Sequence, residues 1–310
     1  LMKKNNLCIY IGEDVRNGQR TISENFITRY GKKRVIDTPI SESAFCGLAV
    51  GLALNGFRPI VEFNFSGLVF VSIDQIFNQA SKYKQMLGGK KEIPIIYLLP
   101  TGTKGGLAAH HSDNPYSLLA HLGIKCFMPT NKKNISKIIK HAYNLKEPVA
   151  VFLPVEEFRN TRDLKSKDKN KNFEKLLEST SKKTFDLSII SSGTTISICY
   201  DAITKLDKKQ SSRCSLYGIN DLLIGKDTEK KIAKVKSKKI LIVDDSPSGF
   251  GLSSQIELIL RRNKKIVFNE ISSITRNSNF IPFNKKLENK IRPTELKIRN
   301  KIVRMLNENN

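Results

Sequence analysis

The stretch Val35–Phe63, VIDTPISESAFCGLAVGLALNGFRPIVEF, restricts the fold more than any other part of the chain. A short β-branched run, Val35–Asp37, meets a Thr-Pro turn; a helix opens near Ser41, and the Asn55-Gly56 pair ends it. A second apolar run, Pro59–Phe63, follows at once. Strand, helix and strand this close together read as a crossover unit, the building block of a parallel sheet. The helix carries small residues (Ala44, Cys46, Gly47, Ala49, Gly51, Ala53), which let another backbone approach closely in a buried helix pair or a subunit interface. Its apolar run is shorter than the about 20 residues that span a bilayer. Glu42 breaks the pattern: it is a carboxylate in the first turn of a helix with almost no polar face. The helix dipole favours an acid there whatever its role. An acid placed where water is scarce is also suited to sharing a proton with a ligand nitrogen.

The same alternation recurs along the chain. Leu7–Ile11 is a short apolar strand ending in Gly12-Glu13-Asp14, and Phe63–Val71 is an aromatic-rich loop before a helix over Asp74–Lys84. Gly88-Gly89 ends that helix, and Ile93–Pro100 is a continuous apolar run of the kind buried on both faces. Thr101–Leu107 (TGTKGGL) lacks phosphate-loop spacing and reads as a flexible active-site loop, delivering His110-His111-Ser112. Adjacent histidines rarely reach one ion, and no further ligand set accompanies them. Strand Phe127–Pro129, helix Lys132–Tyr143 and strand Pro148–Leu153 complete a first series. Arg159–Lys183 is charged and reads as a linker. A second series follows: strand Leu187–Ser191, helix Thr195–Leu206, strand Arg213–Gly218, helix Thr228–Lys234, strand Ile240–Asp244 and helix Leu252–Arg261. Gly249-Phe250-Gly251 lacks the third glycine of a dinucleotide fingerprint, and Asp244-Asp245 would repel phosphate, so a tight turn is the better reading. The predicted class is α/β with two doubly wound domains, the first over 1–158, a charged linker over 159–184 and the second over 185–310.

The length of 310 residues suits two such domains. The net charge of +24 raises nucleic acid as a partner. Yet the basic residues are mostly lysines spread among Asn and Ile, densest in the linker, with no helix-turn-helix, zinc-finger or RNP-like pattern. A solvated basic surface is the better reading, with an acidic protein partner second; neither nucleic acid nor membrane is expected. Five cysteines (Cys8, Cys46, Cys126, Cys199, Cys214) are scattered without a CxxC, and no signal-like segment begins the chain. A reducing, cytoplasmic location is the expectation.

Six segments in order carry a resemblance: GEDV at Gly12–Val15, YGKKRVIDTPISE at Tyr30–Glu42, the Gly/Ala helix, G-x-R-P-x-x-E-F at Gly56–Phe63, IDQIFNQASKYKQMLGG at Ile73–Gly89, and AAHHS at Ala108–Ser112. Together they resemble the β-subunit of thiamine-diphosphate-dependent 2-oxo acid dehydrogenases of the pyruvate or branched-chain type. The resemblance covers nearly the whole chain and is dense from Gly12 to Phe152. It implies a transketolase-like pyrimidine-binding domain followed by a transketolase carboxyl-terminal domain. Glu42 takes the proton-relay position at the aminopyrimidine of the cofactor, and His111 the position of a group that handles protons as an acyl group passes to a lipoyl carrier. Ile40 falls at a cofactor-side position, and so does Glu13, which also reads as a solvated loop acid. Leu68 stands where the family has an aromatic ring against the aminopyrimidine; Phe65 and Phe70 lie near. A structural potassium ion is implied at the backbone carbonyls of Ile95, Ala142, Leu145 and Glu147. The family's carboxyl-domain His is absent, with Asp245-Ser246-Pro247 in its place.

No GDG motif, the family's diphosphate and Mg²⁺ site, occurs in the chain. In two-chain members it lies on an α-subunit, so the resemblance implies an α₂β₂ assembly with the Mg²⁺ held by the partner, serving a 2-oxo acid substrate and a lipoyl acyltransferase component. Two other readings stay open: the carboxyl half of a split transketolase, and a degenerate structural subunit without catalysis.

Overall fold

Strands that are apolar on both faces need cover on both sides, and the first six strands obey this. In the computed structural model β1 (Cys8–Glu13), β4 (Ile96–Thr101) and β6 (Val149–Pro154) are buried at every position, whereas β2 (Val35–Thr38) and β5 (Lys125–Phe127) are partly exposed and β3 (Arg58–Glu62) is buried after its first residue. The sheet order β2-β1-β3-β4-β6-β5 explains this, because β2 and β5 are its edges. The β2–β1, β1–β3, β3–β4 and β5–β6 pairings are parallel. The structure describes all residues except 17, 19–22, 103–104, 156, 158–163, 165–171, 179–184, 264–267 and 308–310.

The helix predicted from Ser41 runs over Glu42–Leu54 and links β2 to β3. Its buried face is Glu42, Phe45, Cys46, Ala49, Val50 and Ala53. Gly12 is required where β1 crosses β3: a Cβ there would lie 2.4 Å from the Glu62 carbonyl oxygen. The helix expected over Asp74–Lys84 departs from the α form. Gln75–Ser81 is a π turn with Ile76 and Ala80 buried, and α geometry resumes at Lys82–Met86.

The second sheet has the order β11-β10-β8-β9-β7, formed by β7 (Phe173–Leu177), β8 (Phe185–Ser192), β9 (Cys214–Ile219), β10 (Ser237–Pro247) and β11 (Glu270–Arg276). Its pairings are parallel except at the edge, where β7 runs antiparallel to β9. The carboxyl-terminal helix, Glu295–Asn307, sends Ile298, Ile302, Met305 and Leu306 into the core with Leu187, Ile189, Leu216 and Leu241.

β7 corrects the linker reading of 159–184, most of which lies outside the described residues. Charge composition hid it. Phe173 stacks on Tyr217 with ring centroids 5.2 Å apart, worth about 0.5–1.5 kcal/mol beyond burial. Glu174, only 2% exposed, is satisfied by amides: Asn220 Nδ2 donates to its Oε1 at 2.7 Å, and Asn134 Nδ2 donates to the same oxygen. Asn220 also binds the Met128–Asn134 segment, whose Met128 N–H donates to the Asn220 carbonyl and Thr130 N–H to Asn220 Oδ1, each at 2.8 Å. The chain is thus interleaved. One unit comprises Leu1–Thr103, Ala109–Phe127 and Ile135–Leu153, and the other comprises Lys104–Ala108, Met128–Asn134 and Pro154–Asn310.

Candidate active site

In an open parallel sheet, ligands bind beyond the carboxyl ends of the strands where the strand order reverses. Here β1 has β2 on one side and β3 on the other, so the reversal lies beside β1. Glu13 is the last residue of β1 and Asn64 follows β3 by two residues; Asn64 Nδ2 donates to Glu13 Oε2 at 3.2 Å. Glu42 opens the helix after β2. Both carboxylates are buried, Glu13 at 7% and Glu42 at 6% exposed. Glu13 is therefore not the solvated loop acid that its position allowed.

Burial pushes the Glu13 carboxyl above its ordinary value, and the neighbouring Glu42 charge pushes it further. The Ser41 backbone N–H and the Asn64 amide act in the opposite direction, while Asp14 adds a smaller upward push. Glu13 Oε1 is buried with no hydrogen bond of ordinary geometry among the described residues. An acid with a raised pKa binds its proton more tightly folded than unfolded, so folded stability falls as pH rises from the ordinary carboxylate value near 4.5 through the folded pKa. Glu13→Gln should then melt at a higher temperature than the wild type at neutral pH, with the difference shrinking toward zero below pH 4.5. Melting curves across pH check this; a variant that melts lower at neutral pH would refute the assignment.

His111 lies on the short helix Ala108–Ser112. Its ring meets Phe65 edge-on, with centroids 4.6 Å apart and planes at 65°. The segment sits tightly against the loop after β3. A Cβ at Gly67 would lie 2.5 Å from the His110 carbonyl oxygen, and Ser66 Oγ donates to the Asp113 carbonyl at 2.7 Å. Leu68 belongs to a 3₁₀ helix, Ser66–Ser72, and is half-buried, whereas Phe70 is 49% exposed. Ile40 is 84% exposed. Sequence reasoning missed Asn64; its signal is a polar amide one residue beyond Phe63, where the apolar strand ends.

The carbonyls considered for a cation already accept hydrogen bonds: Ile95 from Val149 N–H at 2.9 Å, Ala142 from Leu145 N–H at 3.1 Å, and Leu145 from Arg58 Nη2 at 3.1 Å. Each carbonyl retains a second lone pair. The Glu147 side chain pairs with Lys125 at 2.5 Å. Among the described residues no group of three or more His, Cys, Asp or Glu is placed to hold a metal ion.

Residues 1–161 match the transketolase pyrimidine-binding domain family. The chain is 39% identical over 145 residues to the mitochondrial pyruvate dehydrogenase E1 component subunit beta of Homo sapiens, covering 46% of this chain and 40% of that protein. The corresponding protein of Leifsonia xyli is 33% identical over 153 residues, covering 48% of this chain and 45% of that one. That of Saccharomyces cerevisiae is 30% identical over 255 residues, covering 79% and 68%. The chain thus spans less than half the length of the human and Leifsonia relatives and about two thirds of the yeast one. A solved structure described as a split gene transketolase, inactive beta4 tetramer, shares the fold with a TM-score of 0.73 over 98% of this chain and 93% of that one, at 15% identity.

Proposed function

Because the chain belongs to the transketolase pyrimidine-binding family and, within it, to the pyruvate dehydrogenase E1 β-subunits, we propose that it is the pyrimidine-side subunit of a 2-oxo acid dehydrogenase. The observation that carries this reading is the buried pair Glu13 and Glu42 at the reversal point of the sheet. A buried pair of carboxylates fits the polar edge of an aminopyrimidine. Thiamine diphosphate, when bound, supplies the carbon that decarboxylates a 2-oxo acid. Glu42 holds and returns the proton at the ring nitrogen, and beside it stands Glu13, whose carboxyl is pushed up by burial and by the Glu42 charge. Exposed Ile40 and half-buried Leu68 supply apolar contact, with Phe65 setting the plane of His111. His111 moves a proton at the lipoyl arm, a task suited to an imidazole at neutral pH.

The diphosphate and its Mg²⁺ belong to an α-subunit in this reading, in an α₂β₂ assembly that hands its acyl group to a lipoyl acyltransferase component. A K⁺ ion would use the free lone pairs at Ile95, Ala142 and Leu145 together with the Glu147 carbonyl. Residues 1–158 then form the pyrimidine-binding domain and 185–310 the transketolase carboxyl-terminal domain. The burial of all five cysteines supports a cytoplasmic placement, and no helix among the described residues is long and apolar enough to cross a membrane. Identity of 30–39% to dehydrogenase subunits, against 15% to the transketolase neighbour, favours the dehydrogenase over the split-transketolase reading.

Release of carbon dioxide from pyruvate or a branched-chain 2-oxo acid by the reconstituted α–β assembly tests the proposal; turnover of neither acid rejects it. Within that assembly, Leu68→Phe is expected to tighten thiamine diphosphate by about 0.5–1.5 kcal/mol, the increment of an aromatic pair. Calorimetric titration measures it, and weaker binding would mean that overpacking outweighs the ring contact.

A further inference from the structure

A second cluster of buried charge lies in the carboxyl-terminal unit. Arg292, only 1% exposed, pairs with Asp245 Oδ2 and, at 2.9 Å from its Nε, with Glu288 Oε1. Asp245 and Glu288 are themselves 2% and 1% exposed. Two carboxylates thus share one guanidinium, and the remaining oxygens of a buried carboxylate need donors. The second Glu288 oxygen has them. Glu288 Oε2 accepts the backbone N–H of Gly105 at 3.1 Å and that of Gly106 at 2.8 Å. Successive amides closing on one anionic oxygen form a nest, the geometry that elsewhere binds phosphate.

Both glycines are needed for it. Gly105 has φ 140 and Gly106 φ 78, and a Cβ on Gly106 would lie 2.9 Å from the Lys285 amide nitrogen. The loop read from the sequence as a flexible active-site loop thus already holds a carboxylate supplied by the chain itself. Two residues on, Ala108 has φ 64, a left-handed conformation that a side-chain-bearing residue keeps only when its surroundings impose it. The helix with His111 begins at that residue.

We infer that Glu288 is a positioning residue: by fixing the Gly105-Gly106 amides it sets the course of the chain into Ala108 and so the placement of His111. Its consequence for catalysis rests on the function proposed above; the clasp itself does not. Arg292, itself anchored on Asp245, holds the Glu288 side chain at the loop.

The chain has four histidines, so its imidazole signals are separable by ¹H–¹³C NMR. Glu288→Gln, which removes the charge while keeping the shape, should move the His110 and His111 signals and leave those of His121 and His141 in place. The Gly105 and Gly106 amides should exchange with solvent about tenfold faster or more, as charge-assisted hydrogen bonds are lost. Gly106→Ala displaces the same loop sterically and should move the same two imidazoles, which keeps the inference testable if Glu288→Gln does not fold. Unmoved His111 signals in the folded variants overturn it. So does a uniform change in all four imidazoles, which would mark Glu288 as a general support of the fold. None of these measurements uses a cofactor, a partner chain or a substrate, so their failure and that of the dehydrogenase reading are distinguishable.

Discussion

Glu42→Gln is expected to leave the fold and its melting transition in place while slowing turnover of the reconstituted assembly by about 100- to 10,000-fold, the range of a lost general acid or base. The isosteric amide still fills the first turn of the helix Glu42–Leu54 and still accepts a hydrogen bond. It cannot carry the proton. Glu13 does not replace it, because Asn64 holds one Glu13 oxygen and Glu13 lies on a different element, at the end of β1. Stopped-flow measurement of hydrogen exchange at the thiazolium carbon isolates the step, with circular dichroism as the folding control. Exchange at the wild-type rate would remove Glu42 from the role.

The isolated chain is expected to bind no thiamine diphosphate, and pairing with an α-subunit should create the site outright. The described residues offer a pyrimidine-side acid pair and a histidine, but no group of acids and histidines able to hold a metal ion. The surface also anticipates a partner. On the helix Glu42–Leu54, Ala44, Leu48 and Gly51 are exposed at helical spacing, and a Cβ at Gly51 would meet nothing within 4 Å. Ile40 at 84% and Val71 at 60% exposure add to that apolar surface. The net charge of +24 attracts diphosphate loosely at low salt, so binding is measured at about 0.15 M salt or above, where the Debye length is about 8 Å or less. Saturable, Mg²⁺-dependent micromolar binding to the single chain would reject the two-subunit arrangement.

What the sequence made legible was local. The helix Glu42–Leu54 announced itself because its start, its small residues and its Asn-Gly stop are contiguous, and the acid in its first turn stood out against them. Glu13 was ambiguous because its burial depends on Asn64 and Ser41, which no local pattern ties to it. β7 was hidden for a similar reason: Glu174 is tolerable inside because Asn134 and Asn220 reach it from distant segments. β11, EISSITR, is an edge strand of mostly intermediate burial, so it lacks the apolar run that marked its neighbours. No local pattern marks Arg292 as buried; its partners Asp245 and Glu288 come from β10 and from the preceding helix turn.

The interleaving of the chain bears on the order in which the protein is assembled during synthesis. Met128–Asn134 emerges from the ribosome well before Asn220, the residue that receives its amides. Until then the Met128 and Thr130 N–H groups lack the partners they take in the folded chain. Contacts of such long sequence separation form slowly, and the wait exposes β-rich, half-folded chains to association with one another. A chain ended after Leu153 would never leave that state. Excising the amino-terminal half should therefore yield an aggregating fragment, not a free-standing cofactor domain.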